Sequence, residues 1–252
     1  MLNNKFLYFV LDHFISNCFH KQITKLVKNE KKLIIFDVGC YRGSFTKSIL
    51  DVIGNKKYKI YLFDINRKVK KYLSYLLRLK NIYYNEVALS NKNGKANYNY
   101  NKFFEAAGSS LSNLFVDDKK WNFSRKLLLK ILLFYNYNNG NGFVKYQVPT
   151  ITLDNFAKKN KIRVINLLKI DVEGSEYNLL KGAKKTLKKN KIKIILIEIM
   201  EKKHIYDKKE KKILNLLKRR NFNLIKKKSL WFTSIFSNIK GADYLFINNK
   251  YF

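Results

Sequence analysis

Short apolar runs alternate with helical patterns along most of this chain. Residues 33–36 form a continuous apolar run, which is typical of a strand buried on both faces. Apolar positions in 45–53 then recur at helical spacing, and Gly54 follows where the helix can end. Because strand and helix patterns keep alternating, the sequence predicts βαβ units on a mostly parallel sheet, and hence an α/β fold.

The alternation divides the chain into two parts. Residues 1–30 are predicted to be a helical preface, and 31–252 one α/β domain, for which this length is sufficient. Further strands are predicted at 59–63, 82–88, 164–170 and 193–199, with helices at 69–79, 175–189 and around 213–217. Residues 222–225 and 244–247 are predicted to close the sheet as a pair.

The regular alternation fails between Ser90 and Val148, in a stretch rich in Asn, Tyr and Gly. So long a connection indicates a cap over a binding site or a mobile insert, and residues 91–147 are assigned to it. Its apolar run at 127–135 has two interpretations, a buried cap helix or a segment that docks at a lipid interface. The run is far shorter than the roughly 20 residues that span a bilayer.

The composition is strongly basic, with a formal net charge of +34. A field of that size attracts polyanions, but the basic residues are 45 Lys and only 7 Arg. Arg is the residue that reads bases and phosphates through its two-pronged guanidinium. Lysine also rises with A/T-rich codons, as Asn, Ile, Tyr and Phe do, so solvated lysine faces are favoured over a nucleic-acid groove.

Cysteine occurs only at Cys18 and Cys40, and the chain has 3 histidines. Because these are too few for a disulfide framework or a zinc site, no metal is predicted and a reducing compartment is the simpler assumption. The apolar opening is interrupted by Asp12 and His13 before a signal-type core is complete. A cytoplasmic protein is predicted, with at most peripheral contact at the inner face of the membrane.

The first motif with chemical meaning is FDVGCYRGSFT at 36–46. A strand delivers Asp37 at its carboxyl end, Gly39 and Gly43 permit a tight turn, and a helix begins near Ser44, which together place a ligand beyond the strand ends. The glycine spacing is not G-x-G-x-x-G, because Tyr41 stands where a pyrophosphate site needs its middle glycine. A cofactor without phosphates is therefore predicted.

Asp64 ends the second predicted strand, in YLFD. An acid at this point can accept hydrogen bonds from both hydroxyls of a ribose. The glycine turn and this acid together predict a nucleoside pocket, although either Asp37 or Asp64 alone could be only a turn cap.

A third motif, LLKIDVEGSEYNLLKGA, covers 167–183. Lys169 and Asp171 are two apart on a predicted strand, so they point to the same face, and Glu173 lies just beyond the strand end. Glu176 is interpreted as a favourable acidic helix start. Glu198, at the end of the next strand, closes the set.

These motifs resemble the FkbM-type family of S-adenosylmethionine-dependent methyltransferases over about residues 33–200. The resemblance also includes NEVALSNKNG at 85–94 and VPTITLDNF at 148–156, and it departs from the family at Tyr41, at Asp64 and in the long insert. It implies a class I methyltransferase fold: a Rossmann-like, seven-stranded, mostly parallel sheet with a reversed strand near the edge, flanking helices and an insert after the third strand. It further implies O-methylation, often of sugar or natural-product hydroxyls, with S-adenosyl-L-methionine as cofactor.

The resemblance assigns roles to individual residues. Asp171 is the first candidate for the base that removes the acceptor proton, Glu173 the second, and Lys169 belongs to the same catalytic group. Cofactor binding is assigned to Asp37, Gly39, Cys40, Tyr41, Gly43, Asp64, Glu86 and Ala88.

The predicted partner is a small-molecule or glycan acceptor, consistent with a role in polysaccharide modification. Two alternatives stay open. RNA methylation is favoured by charge alone, and the lysines are spread along the chain rather than clustered with aromatic residues. The other alternative is a non-catalytic nucleoside-binding protein. The presence of Asp37, Gly39, Gly43, Asp64 and Asp171 argues against it. His204, just past Glu198, is a further candidate base, but a lone His in such a lysine-rich run is more typical of a solvated surface residue.

Overall fold

The computed structural model describes residues 19–101, 143–202, 209–229 and 239–252. Its main sheet has seven strands in the order β3-β2-β1-β7-β8-β10-β9. All neighbours are parallel except β10, which runs antiparallel to both β8 and β9. The predicted seven-stranded, mostly parallel sheet with one reversed strand is therefore confirmed. The strands are β1 (Lys32–Val38), β2 (Lys57–Phe63), β3 (Ile82–Asn85), β7 (Ile165–Ile170), β8 (Ile192–Lys202), β9 (Phe222–Ser229) and β10 (Ile239–Asn248).

Helices pack on both faces of this sheet. One hydrophobic core contains α1, α2 and Phe45, and the other contains α5, α6 and Phe156. β1 and β7 carry buried side chains toward both cores, which explains their continuous apolar runs. The helices are α1 (His20–Val27), α2 (Ser44–Ile53), α3 (Val69–Tyr72), α4 (Ser74–Leu77), α5 (Leu153–Lys159), α6 (Glu176–Lys181), α7 (Lys184–Lys188) and α8 (Lys209–Lys218).

Two predicted helices are each divided in the structure. The helix expected at 69–79 becomes α3 and α4, with the break at Leu73. The helix expected at 175–189 becomes α6 and α7, with Gly182 between them. A Cβ on Gly182 would lie 1.9 Å from the carbonyl oxygen of Ser90, so the close approach of this neighbouring segment explains the glycine.

A second, three-stranded sheet was not predicted. It has the order β4-β6-β5, with β4 (Ala88–Leu89), β5 (Gly94–Asn101) and β6 (Phe143–Ile151). The strand expected at 82–88 therefore ends at Asn85, and Ala88 begins a strand that pairs with β6 instead. In β5, Tyr98 and Asn99 are both buried while Asn97 is exposed. The high Asn content, which disfavours strands, concealed this element in the sequence.

Some expectations fall outside the described residues, namely the apolar run at 127–135, Cys18 and His204. Of the residues predicted as a preface, α1 packs its buried Ile23 and Val27 against the core. No helix in the described ranges is long and apolar enough to cross a bilayer.

Candidate active site

The carboxyl ends of β1, β2 and β7 meet at one edge of the main sheet, and the predicted site residues lie there. Asp37 near the end of β1 is fully buried, and its Oδ2 accepts a hydrogen bond from the Thr46 hydroxyl at 2.7 Å. Since Thr46 belongs to α2, this bond fixes the helix against the strand that precedes it. The expected strand–turn–helix geometry is thus present.

Lys169 on β7 contacts Asp37 on β1 and Asp171 just after β7. Its Nζ lies 3.4 Å from Asp37 Oδ1 and 3.1 Å from Asp171 Oδ2, and it donates to the Gly39 carbonyl at 3.0 Å. Burial lowers the pKa of Lys169, but the charges of Asp171 and Asp37 outweigh it and raise this pKa above its ordinary value. Lys169 therefore stays an ammonium and positions Asp171, which favours a positioning role over direct proton transfer.

The turn after β1 depends on its two glycines. Gly39 has φ +77°, and a Cβ there would lie 1.7 Å from the carbonyl oxygen of Asp171. Gly43 has φ +76° at the start of α2, and a Cβ there would lie 2.4 Å from Leu76 Cδ1. Tyr41 between them also has a positive φ, +41°. The turn is therefore closed by backbone conformations that favour glycine, and it packs tightly against β7.

Asp64 lies directly after β2 and faces this turn. Its Oδ2 accepts from the Tyr41 amide at 2.9 Å, and its Oδ1 accepts from the Asn66 amide at 3.0 Å. Burial nevertheless raises the pKa of Asp64 to about 6. The Ile65 amide also donates to this carboxylate, so about one of its roughly four acceptor positions remains for a ribose hydroxyl. Cys40, beside Asp64, is buried, and burial raises the pKa of its thiol so that it stays neutral.

The second sheet reaches the same side of the site as Asp64. Tyr146 on β6 lies with its ring centroid 5.6 Å from the Arg67 guanidinium carbon. Burial is the main cause that raises the pKa of Tyr146 to about 12; the Arg67 charge opposes it, and Tyr100, Asp64 and Glu86 add smaller increases. Tyr146 is not among the predicted site residues: the alternation of apolar and polar residues around it indicates a strand, but not the pairing that places it near Asp64. Glu86 itself is exposed just after β3.

Beyond β7, acids line up across three adjacent strands. Asp243 on β10 lies opposite Glu198 on β8, and Glu198 hydrogen-bonds Asp171 at the end of β7. We call Asp171, Glu198 and Asp243 the carboxyl row; all three line one cleft, together with Gly39 and Phe45. The sequence singled out Asp171 and Glu198 but missed Asp243, which sits on the reversed strand. Within the described residues, no group of acids, His or Cys could hold a metal ion.

The charges in the row affect each other. Burial and then the charges of Asp171, Asp243 and Glu173 raise the pKa of Glu198 well above its ordinary value. Burial and the charge of Asp171 raise the pKa of Asp243 to about 7, against the opposing charges of Lys169 and Lys228. Glu198 and Asp243 therefore keep their protons to higher pH than isolated carboxyl groups would.

Glu173 and Glu176 lie in the loop and helix after Asp171. Glu173 has a positive φ, +49°, and a side-chain oxygen of it is buried. Glu176 is the first residue of α6, as expected of an acidic helix start, but it is fully buried. It accepts from the Gly174 amide at 2.6 Å and pairs with Lys209 at 3.2 Å, so its role is structural.

The strand order, the reversed strand, the glycine turn and the acid after β2 define a class I methyltransferase. The chain belongs to the FkbM methyltransferase family: the family model described as Methyltransferase FkbM domain matches residues 37–224. The expected family is thereby confirmed.

Among characterised relatives, the chain is similar to the 2-O-methyltransferase NoeI of Sinorhizobium fredii, with 26% identity over 175 residues. That alignment covers 68% of this chain and 65% of NoeI, so the chain spans just under two thirds of that relative. Among solved structures, a methyltransferase FkbM from Methylobacillus flagellatus has TM-score 0.49 and 13% identity, covering 85% of this chain and 44% of that one. Magnesium protoporphyrin IX methyltransferase from Synechocystis has TM-score 0.48 and 11% identity, covering 99% and 86%.

Proposed function

We propose that this methyltransferase uses S-adenosyl-L-methionine to methylate a hydroxyl oxygen of a sugar or glycan-type acceptor. The observation that carries the proposal is the position of Asp171, between the glycine turn on one side and Glu198 and Asp243 on the other. A carboxylate at this position can receive a proton from an acceptor hydroxyl that is bound between the glycine turn and these two acids. The similarity to a 2-O-methyltransferase supports transfer to oxygen.

The residues around Asp64 and the glycine turn, where the nucleoside would bind, suit this cofactor. Asp64 accepts hydrogen bonds from the Tyr41, Asn66 and Ile65 amides and keeps about one of its roughly four acceptor positions for a ribose hydroxyl. The backbone of Gly39 and Cys40 is fixed by hydrogen bonds from both amides to the Phe63 carbonyl, at 2.9 and 3.2 Å. This fixed turn, which lines the cleft, would lie against the rest of the cofactor.

The cofactor, when bound, supplies a methyl group already activated by its positively charged sulfur. The protein then has to align the acceptor oxygen with that methyl and take up one proton, and alignment alone can account for a large part of the rate enhancement. Asp171 is the proposed proton acceptor, held in place by the Lys169 ammonium. Asp37 holds Lys169 from the other side.

Calorimetry with S-adenosylmethionine tests the cofactor, and a panel of methyl glycosides with tritiated cofactor tests the transfer. We expect a saturable isotherm and tritium on the glycoside, with the label located on an oxygen by mass spectrometry of fragments. Absence of cofactor binding would overturn the proposal as a whole. Binding followed by transfer to nitrogen or carbon acceptors only would overturn O-methylation.

A further inference from the structure

The carboxyl row lies on one face of the sheet. β10 pairs Asp243 with Glu198, and β7 pairs Lys169 with Leu196, two residues before Glu198. Because side chains alternate along a strand, Asp171, Glu198 and Asp243 point to the same side at the same level. They therefore form a continuous line of carboxyl groups that starts at the proposed base and runs away from the glycine turn.

The far end of this row is out of reach of the nucleoside. In the sheet order, four strand spacings separate Asp64 on β2 from Asp243 on β10, which is roughly 19 Å at about 4.8 Å each. Asp171 is at the middle of that span, while Glu198 and Asp243 lie beyond it. A group bound at Glu198 and Asp243 is thus on the opposite side of Asp171 from the cofactor's ribose.

Asp243 also has an unused hydrogen-bonding atom. The residue is only 5% exposed, and its Oδ2 is buried with no hydrogen-bond partner. Since a buried polar atom without a partner is unfavourable, and this residue lines the cleft, a ligand group at this position would satisfy it.

The charges around the row select the class of ligand. Lys169 lies at one end of the row, and Lys228 is the register partner of Asp243 at the other. These ammonium groups disfavour a cationic ligand, and the carboxyl groups disfavour an anionic one. A hydroxyl both donates and accepts hydrogen bonds, so it suits neighbouring carboxyl groups that can accept and, when protonated, donate.

We propose that Glu198 and Asp243 form an acceptor subsite that holds a second hydroxyl, adjacent to the one that Asp171 deprotonates. This inference rests on the proposed O-methyl transfer and narrows it, because it requires an acceptor with at least two neighbouring hydroxyls. An alcohol with a single hydroxyl does not fill the subsite.

Saturation-transfer NMR on the protein saturated with S-adenosylhomocysteine tests the subsite without turnover. The probes are methyl glucoside, methyl galactoside and methyl mannoside, together with the matched pair cyclohexane-1,2-diol and cyclohexanol. We expect saturation transfer to the diol and to at least one glycoside in the wild type, and at least tenfold less to cyclohexanol. Asp243→Asn and Glu198→Gln should each reduce the signals of the hydroxylated probes at least fivefold.

Asp51→Asn, an exposed acid on α2, is the matched control and should behave as the wild type. Calorimetry with S-adenosylmethionine should give the same affinity within twofold in every variant, which also shows that the variants are folded. No saturation transfer to any diol or glycoside in the wild type, or unchanged signals in both row variants, would overturn the subsite. Loss of cofactor binding in the wild type would instead contradict the proposed function.

Discussion

The carboxylate of Glu176 and the ammonium of Lys209 lie 3.2 Å apart, and both side chains are buried. Gly174 takes part in the same contact, because its amide donates to Glu176 and its carbonyl accepts from Lys209 at 3.3 Å. The pair thus joins the start of α8 to the loop that follows Asp171. The loop next to the proposed base is held by this buried ion pair in addition to the packing of Val172 against the hydrophobic core.

Lys209→Met should lower the free energy of unfolding by about 3 kcal/mol, because it leaves the Glu176 charge buried and unpaired. The double variant Glu176→Gln/Lys209→Met should recover part of the loss, since no buried charge remains. Urea unfolding followed by circular dichroism measures both. Lys211→Met, an exposed position on the same helix, is the control and should change stability by less than about 0.5 kcal/mol. Equal losses in the single and double variants would contradict the role of the ion pair.

Gly39→Ala should prevent the turn from closing. The substitution adds strain at φ +77° and places a Cβ 1.7 Å from the Asp171 carbonyl oxygen, where backbone has to move. Gly54→Ala is a control with a similar positive φ, +54°, but with no heavy atom within 4 Å of the added Cβ. We expect the control to cost about 1–3 kcal/mol of stability and Gly39→Ala to cost more and to abolish cofactor binding. Equal effects in thermal unfolding and calorimetry would show that the close approach to Asp171 is unimportant.

The elements that could be predicted from the sequence are those whose pattern is determined locally. β1 and β7 are buried on both faces, so their apolar runs identify them, and the turn at Gly39 is marked by residues that a strand–turn–helix needs. Asp37 and Asp64 could be located because they follow such runs directly.

What could not be predicted depends on contacts between distant segments. The position of Asp243 beside the site depends on the register of β10 with β8, which places Asp243 opposite Glu198. The break at Gly182 is related to the carbonyl of Ser90, far away in sequence. The position of Tyr146 near Asp64 depends on the pairing of β6 with β5, and residues 102–142 separate these two strands in the sequence. Propensity and periodicity contain no information on such pairings.

Asp64→Ala should weaken S-adenosylmethionine binding at least tenfold, because hydrogen bonds to a charged acceptor are each worth about 1.5–3 kcal/mol. The structure adds a pH dependence. Burial raises the pKa of Asp64 to about 6, so in the wild type the carboxylate is protonated and the affinity falls as the pH drops below about 6. Calorimetry at pH 5, 6 and 8 measures this, with Asp51→Ala as the control. Equal affinity in Asp64→Ala and wild type at pH 8 would rule out Asp64 as the ribose acceptor.

Asp171→Asn should retain cofactor binding and slow methyl transfer by a factor of about 10² to 10⁴, the range expected when a general base is removed. The substitution preserves shape but removes the proton acceptor and one partner of Lys169. Single-turnover transfer to the glycoside identified by the panel separates binding from chemistry. Glu173→Gln in parallel tests the second candidate: if it slows transfer while Asp171→Asn does not, the base is Glu173.

Asp243→Asn should stabilise the protein without ligand, and only at neutral and alkaline pH. Burial and the charge of Asp171 raise the pKa of Asp243 from 3.8 to about 7, so the folded state binds a proton that the unfolded state has released between these values. Stability of the wild type therefore decreases as the pH rises from about 4 to about 7, by on the order of 1.4 kcal/mol per unit at most. The variant does not lose stability in this way. Its free energy of unfolding should therefore equal that of the wild type at pH 4 and exceed it by a few kcal/mol, about the value that the pKa difference implies, at pH 8. Urea unfolding at pH 4, 6 and 8 measures the difference in free energy of unfolding between variant and wild type. The control Asp51→Asn should show no such difference at any pH. A difference for Asp243→Asn that does not change with pH would mean that Asp243 does not titrate within the row.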